Sequence, residues 1–373
     1  MRTPPCAILR ALLKPLGFHS EFHMNEAPEN LKPLDAQFHR LYELEARIRK
    51  LDPWKWLTPA DIFCIQFEGR EPLFVCFHSN NDAKTVDIAS GWSNYAVLLH
   101  VHTHKIHYPG FYFETKMFQT GRLDPARMFP GEVENYERHG PAERGKDVPF
   151  FRSHNIGFAP WPVNREEAAL LCEILYAIFG MAMRLEDFRE PVGCRVMREV
   201  YTVSISKDGA HSAPQWVPVP AIPPARQPDA NLPGELLQRV SGLPRGSRPM
   251  EIEHILLPLL PGKYPLDKPP QTTYLFLLAT ALDERRAEIL LINLHADGDT
   301  ANVWSRFPGC LLEAIISRGV RPPEFLVTDS RLMSAIRPLT EILPFKLTRA
   351  EQLPIIGRES PEILKKLAIQ GAL

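Results

Sequence analysis

The sequence predicts an α+β protein of two domains, each a mainly antiparallel or mixed sheet packed against helices. A chain of 373 residues is long for one hydrophobic core. Short runs rich in β-branched and aromatic residues occur beside segments of helical periodicity. Seven prolines fall between Pro214 and Pro233. We do not expect a segment so rich in proline to form part of a sheet ladder or a helix interior. We therefore expect a domain at 24–213, a linker at 214–233 and a domain at 234–373.

The N-terminal domain begins with a helix and continues as a sheet. Apolar residues recur at helical spacing over Leu34–Leu51, and Pro53 ends that helix because proline lacks an amide donor. A second helix is predicted at Arg165–Arg184, with Asn164 as N-cap and Glu167 completing a capping box. The span 108–151 is predicted to be a long polar loop with at most one short strand at 110–114. The predicted strands are Asp61–Gln66, Leu73–His78, Thr85–Ile88, Tyr95–His104 and Cys194–Ser206.

The C-terminal domain has the predicted element order β-β-β-α-β-α-β-α. Gly319 is expected to end its first helix, and Ser360 with Pro361 to begin its last. The predicted strands are Met250–Leu260, Thr272–Thr280, Ala287–Leu294, Glu324–Thr328 and Phe345–Thr348. The predicted helices are Val303–Arg318, Arg331–Ile342 and Pro361–Ile369.

Composition indicates a cytoplasmic globular protein. Hydrophobic residues make up 45% and charged residues 23%, and the net charge of -1 gives the chain no general attraction to nucleic acid. The six cysteines lie far apart without a C-x-x-C pair, which favours a reducing compartment. The sequence predicts no membrane span, because no stretch reaches the about 20 apolar residues required. Residues 1–23 are expected to be a weakly ordered extension, with Met24 as the natural start.

A run of histidines is one candidate metal site. His100, His102 and His104 alternate along the predicted strand Tyr95–His104. Because alternate strand residues face one way, the three imidazoles could converge on zinc or iron. The competing interpretation is a solvated strand face.

The C-terminal domain offers a second candidate site. Its element order is that of a ribonuclease-H-like fold, and Thr328-Asp329-Ser330 resembles the end of that family's fourth strand. The resemblance implies carboxylates that hold two divalent ions for phosphodiester cleavage, with Asp329, Glu313 and Glu253 as the catalytic candidates. The first strand offers only Glu251 and Glu253 where the family has aspartate. The competing interpretation is that Asp329 caps the following helix.

Tryptophans beside prolines mark a third candidate site. Trp54 follows Pro53, and Trp161 stands between two prolines. Such residues form either a rigid recognition surface or the packing between a helix and a sheet. Arg152 is the candidate to hold a ligand carboxylate or phosphate beside them.

Several short motifs resemble a bacterial family of uncharacterised two-domain proteins. They are Leu41-Tyr42, Pro53-Trp54, Asp61-Ile62-Phe63, the run from Arg152 through Gly157 to Trp161, and Gly319–Val327. The sequence departs from that family at Asn155 and in its histidine run. The resemblance implies the two-domain architecture and no assigned activity.

No complete catalytic constellation follows from the sequence. The leading hypothesis is therefore a non-catalytic bacterial cytosolic protein that binds an unknown protein or small molecule, with the cleft between its domains as the expected site. The alternatives are a divalent-metal nuclease at 234–373, for which nucleic acid would be the partner, and a metal-binding module at His100–His107. No cofactor is predicted beyond a divalent metal for these alternatives.

Overall fold

A computed structural model describes residues 33–80, 83–103, 114–141, 146–188, 198–221, 230–257, 269–284, 286–296 and 299–369. The extension at 1–23, His104 and all but the last residue of the predicted strand 110–114 lie outside these residues. Contacts divide the described chain into two units. The first holds 33–155 and 160–221, and the second holds 156–159, 230–257 and 269–369.

The first unit is built on an eight-stranded mixed sheet of order β6-β5-β4-β3-β2-β1-β7-β8. Its strands are β1 (Phe63–Phe67), β2 (Leu73–Asn80), β3 (Ala83–Ser90), β4 (Met117–Leu123), β5 (Val148–His154), β6 (Trp161–Pro162), β7 (Glu199–Ile205) and β8 (Gln215–Pro218). Only the β1–β7 pair among them is parallel. Its helices are α1 (Pro33–Leu51), α2 (Trp92–Thr103), α3 (Pro130–His139) and α4 (Arg165–Phe188).

Helices cover both faces of this sheet. On one face α1 and α4 pack through Leu41, Ile48 and Ile174 against strand residues such as Ile65. On the other face α2 packs through Tyr95 and Leu98 against residues of β1 and β2. The predicted capping box of α4 is confirmed, because Asn164 Oδ1 accepts the N–H of Glu167 and Glu167 returns a bond to the Asn164 N–H. The sheet therefore has a hydrophobic core on each face.

The helix α4 also meets the length and composition of a membrane span. Its segment Arg165–Leu185 comprises 21 residues, and the most apolar 18-residue window in it has a mean hydropathy of 1.7, so the prediction that no stretch is long and apolar enough was wrong. However, 56% of the most apolar window is buried inside the protein. This helix packs against α1 in the core, as a central helix of a soluble protein does.

Three sequence predictions for the first unit were wrong. Tyr95–His104 was predicted as a strand, but Trp92–Thr103 is a helix, because Tyr95 and Leu98 recur at helical spacing and are buried together. The span 108–151, predicted to be a long loop, instead contains β4, α3 and the start of β5. The proline-rich segment contains β8, which the edge of a sheet allows because one side of an edge strand needs no amide donors.

The second unit has the predicted order of strands and helices, preceded by the unpredicted helix α5 (Gly234–Ser241). Its five-stranded sheet runs β11-β10-β9-β12-β13. The strands are β9 (Met250–Leu257), β10 (Thr273–Ala281), β11 (Ala287–His295), β12 (Glu324–Val327) and β13 (Lys346–Arg349). The helices are α6 (Thr300–Arg318), α7 (Ser330–Ile342) and α8 (Pro354–Ile369).

The strand directions in this sheet bring together the loops that follow β12 and β13. The strand β10 is antiparallel to both neighbours, whereas β9, β12 and β13 are mutually parallel. Phe276 stacks on Phe307 of α6 with centroids 4.1 Å apart, while Leu275 and Leu277 pack on the opposite face with Ile356 of α8 and with Leu353, which precedes that helix. β12 ends at Val327 beside Ile252, near the start of β9, and β13 ends at Arg349 beside Val327, so the segments that follow β12 and β13 lie side by side at the level of Glu253.

Candidate functional site

The polar residues of the candidate site lie at the carboxyl end of β12 and on the neighbouring part of β9. Alternation along β9 points Glu251 and Glu253 toward α8, and Ile252 and His254 toward α6. The register pairs Val327 of β12 with Ile252, so the residues that follow Val327 stand beside Glu253 and His254. The sequence therefore brings a carboxylate, an imidazole and the Thr328-Asp329 turn to one place.

Two of the three predicted catalytic carboxylates meet there. The Thr328 hydroxyl donates a 2.8 Å hydrogen bond to Glu253 Oε2. His254 Nδ1 lies 3.9 Å from Glu253 Oε1 and 4.0 Å from Asp329 Oδ2. Asp329 also accepts the backbone N–H of Arg331 as the N-cap of α7, as the competing interpretation predicted. Sequence reasoning missed His254, for which the only signal was its position beside Glu253 in the predicted first strand of the C-terminal domain.

The third carboxylate, Glu313, is an exposed side chain of α6. Among the described residues, no three His, Cys, Asp or Glu side chains are grouped so that they could hold a metal ion. Glu253 and Asp329 thus form part of the predicted nuclease site without a third ligand at hand in the described part of the chain. Their catalytic role stays a prediction.

Glu251 performs a structural task at the same end of the sheet. Its side chain is only 2% exposed and accepts the N–H groups of Ile355 and Ile356, each at 2.9 Å. These amides open α8, and the first amides of a helix lack partners within the helix. Glu251 therefore caps α8 from a distant strand.

That remote cap explains why the start of α8 was predicted wrongly. The helix begins at Pro354, and Pro361, predicted as its first residue, lies inside it. Proline at the first position needs no N–H partner, and the capping carboxylate comes from a residue 104 positions away. Local sequence does not contain that signal.

An open cleft adjoins Glu253 between the sheet end and α8. Its volume is about 520 Å³, within the range of small-molecule sites. Nine residues line the cleft: Glu253, Ile255, Thr328, Gln352, Leu353, Pro354, Ile356, Gly357 and Ser360. Gly357 belongs to this wall, and a Cβ added there would meet nothing within 4 Å. The cleft thus combines one carboxylate with an apolar wall.

The predicted ligand-binding residues of the first unit are engaged inside the protein. The Arg152 guanidinium forms two 2.8 Å hydrogen bonds with Glu132 of α3 and lies 5.0 Å from the Phe129 ring. Trp161 also packs on Phe129, at 4.9 Å. Trp54 lies elsewhere and donates its indole N–H to the Thr85 carbonyl. Arg152 and Trp161 are brought together, but Trp54 is not grouped with them.

The histidine run lies largely beyond what the structure describes. His100 and His102 belong to α2, and His104 is outside the described residues. The alternation of a strand, from which their convergence was argued, is therefore absent at His100 and His102. Metal binding by this run stays a prediction.

A second polar cluster crosses the sheet of the first unit. Asp87 of β3 is fully buried, accepts a 2.9 Å hydrogen bond from Gln119 and lies 3.3 Å from His78 Nδ1. The register places Cys76, Asp87, Gln119 and Arg152 side by side on four neighbouring strands. These contacts join adjacent strands, and a buried carboxylate needs such partners.

Comparison with known proteins adds one match. Residues 38–195 match the family model of DUF7309, a domain of unknown function. The DUF7309 segment extends from α1 past the end of α4, so it covers most of the first unit and leaves the cleft of the second unit outside. No curated protein and no solved structure matches the chain. The resemblance to an uncharacterised family is thereby confirmed for this segment, and no function is assigned to the family.

Proposed function

We propose that this protein is a ligand-binding protein of the bacterial cytoplasm and that its binding site is the cleft between β9, the β12–α7 turn and α8. One observation carries the proposal. The cleft stands at the carboxyl ends of the parallel strands β12 and β13, the usual position of ligand sites in open sheets, and is large enough for a small organic molecule. The proposal moves the expected site from the cleft between the domains to a cleft within the second unit.

Binding is favoured over catalysis by the composition of this site. A two-metal phosphodiesterase needs several carboxylates around its ions, and the described residues contain no group of three metal-binding side chains. Glu251, the other acidic residue that β9 points toward α8, is committed to the amides of that helix. Robust hydrolase turnover by the purified protein in a broad activity screen would overturn the non-catalytic assignment.

A cleft-filling variant tests the site. Gly357→Leu places a side chain in open space on the cleft wall without removing any existing contact. We expect small molecules that raise the melting temperature of the wild-type protein to lose that effect in this variant, since bound ligand stabilises only the state that binds it. The assignment of the cleft fails if such ligands stabilise Gly357→Leu as strongly as the wild type.

A matched control separates occupancy of the cleft from a general effect on helices. Gly180 lies inside α4, and a Cβ added there also meets nothing within 4 Å. Ligand responses of Gly180→Ala should equal those of the wild type. Loss of response in both variants would point to altered stability rather than to a filled cleft.

A second candidate, a ribonuclease-H-like nuclease, is supported by the order of elements in the second unit. The first and fourth strands of that unit, β9 and β12, are parallel neighbours, and this places Glu253 and Asp329 near His254. The test is cleavage of RNA, DNA and hybrid duplexes with Mg²⁺ or Mn²⁺. Metal-dependent cleavage that is lost in Asp329→Ala would favour this candidate, and activity unaffected by Asp329→Ala would remove the proposed site.

Metal binding by His100, His102 and His104 remains a third candidate. Metal analysis of protein purified without a histidine tag tests it directly. A stoichiometric metal that disappears in a triple alanine variant would support it, whereas metal-free protein would count against it.

A further inference from the structure

The electrostatics of the cleft are set by two carboxylates on one face of β9. Glu251 and Glu253 are two residues apart on the strand and both point toward α8. The N-terminus of a helix ordinarily attracts anions, because its first amides and its dipole present positive charge. In α8 the amides of Ile355 and Ile356 already donate to Glu251. The protein's own carboxylate therefore occupies the place where a ligand anion would bind.

Glu253 presents a second carboxylate to the cleft itself. Its side chain is 27% exposed, and one of its oxygens accepts the Thr328 hydroxyl. Among the residues that line the cleft, Glu253 is the one with a charged side chain. The neighbouring cation Arg349 bonds to the Thr328 carbonyl at 3.3 Å and does not line the cleft. A ligand in the cleft thus meets negative charge at one end.

The rest of the wall is suited to an apolar group. Ile255, Leu353 and Ile356 belong to the hydrophobic cluster that α8 forms with the sheet. Pro354 and Gly357 continue this wall, and the space beside Gly357 is open. An aliphatic or aromatic stem laid along this surface would bury apolar area on both partners, which favours association.

We infer that the ligand class of this cleft is a small organic cation, a primary amine or guanidinium on an apolar stem. The inference rests on the function proposed above, since it names what the cleft binds. The charged head donates to Glu253 in place of water, and the stem packs on Ile255, Leu353 and Ile356. Anions of the same size are disfavoured, because Glu251 fills the helix amides and Glu253 repels them.

Ligands that share one stem and differ in charge test the inference with the full-length protein. Hexylamine, hexanol and hexanoate are titrated by calorimetry at constant ionic strength, against the wild type, Glu253→Gln and Gly357→Leu. We expect hexylamine to bind most tightly. Glu253→Gln should weaken it at least about tenfold, because a hydrogen bond to a charged group is lost while the acceptor for Thr328 remains.

A control variant isolates the local charge from the net charge. Glu341 is an exposed residue of α7 outside the cleft lining, so Glu341→Gln changes the net charge equally. Hexylamine affinity should be unchanged in Glu341→Gln. Equal weakening in Glu341→Gln and Glu253→Gln would overturn a specific role for Glu253.

The remaining outcomes distinguish this inference from the proposed function. If hexanoate binds as tightly as hexylamine and both are lost in Gly357→Leu, the cleft is a binding site but its preference for cations is wrong. If binding of every probe is unaffected by Gly357→Leu, the cleft is not the site and both proposals fail. Absence of binding by all three probes at millimolar concentration would also overturn the inference. Circular dichroism and melting temperature of each variant establish that it is folded.

Discussion

At the scale of single residues, the described cysteines of the first unit have buried thiols with raised pKa values. Burial raises the pKa of Cys64 to about 12 and that of Cys172 to about 12, and it also raises the pKa of Cys76, next to Asp87. The thiolate is the reactive form of cysteine, so these residues are packing groups. Cys172, for example, is 7% exposed and lies in the hydrophobic core of the first unit.

Alkylation tests this state of the thiols. At pH 8, Cys64, Cys76 and Cys172 should stay unmodified by iodoacetamide in the native protein and react completely in denaturant, as followed by peptide mass spectrometry. Rapid native labelling of Cys76, the most deeply buried of the three, would contradict the structure.

The same shifts predict a loss of stability in alkali. Well below pH 9.0, the ordinary pKa of a cysteine thiol, each thiol is protonated in both the folded and the unfolded state. In that range the thiols do not make the free energy of unfolding depend on pH. Between that pH and about 12, the unfolded chain loses the proton while folded Cys64 keeps it. The free energy of unfolding should therefore fall as the pH rises through this window. Urea titrations at pH 8 and 10 measure the change, and Cys64→Ala should reduce it.

Asp329 also has a role that a single substitution can separate. Asp329→Ala removes the N-cap of α7 and should lower the free energy of unfolding by about 1 kcal/mol, whereas Asp329→Ser keeps an acceptor for the Arg331 amide and should cost less. Urea unfolding with and without Mg²⁺ is the measurement. A stabilisation by Mg²⁺ that is present in the wild type and absent in Asp329→Ser would instead indicate a metal ligand.

At the scale of elements, α8 depends on the distant residue Glu251. Glu251→Ala leaves the amides of Ile355 and Ile356 buried without their acceptor, so it should lower the free energy of unfolding by about 1–3 kcal/mol. Glu251→Gln retains one oxygen acceptor and should cost less. Equilibrium urea unfolding compares the two, and hydrogen exchange of the first turn of α8 should accelerate in Glu251→Ala. Wild-type exchange there would show that the cap is dispensable.

Gly357 provides the opposite test on the same helix. Glycine in a helix interior is about 0.5–1 kcal/mol less favourable than alanine. Because a Cβ at Gly357 meets nothing within 4 Å, Gly357→Ala should stabilise the protein by about that amount, and Gly180→Ala in α4 should do the same. Thermal unfolding measures both. A destabilised Gly357→Ala beside a stabilised Gly180→Ala would show that the backbone at Gly357 is needed in its present form.

Elements with local signals were predicted well, and those without them were not. The start of α4 follows from Asn164 and Glu167, which are three residues apart. The side chain of each accepts a hydrogen bond from the backbone N–H of the other. The end of α6 follows from Gly319, whose φ of 73° is in the left-handed region that glycine tolerates. By contrast, α2 contains β-branched and aromatic residues typical of strands, and its packing against Phe74 decides its helical form.

At the scale of the whole molecule, charge limits the partners. The net charge of -1 gives no long-range attraction to a polyanion, and the one charged residue that lines the cleft is the carboxylate Glu253. We expect the full-length protein to show no binding of single- or double-stranded RNA or DNA by fluorescence anisotropy at 150 mM salt. Binding that weakens steeply with added salt would reveal a basic face and revive the nuclease candidate.

The sequence by itself determined the α+β class, the order of elements in the second unit and most ends of the helices that it predicted, because periodicity, caps and glycine stops act between near neighbours. It also indicated Glu253, in the first strand of that unit, and Asp329, after its fourth strand, as candidate site residues. Only the tertiary structure decided what these residues do. The parallel pairing of β9 with β12 places Glu253 beside Thr328. Glu251 accepts hydrogen bonds from the first amides of α8, and an open cleft lies between the sheet and that helix. Those contacts join residues 75 to 105 positions apart, and no local pattern encodes such distances.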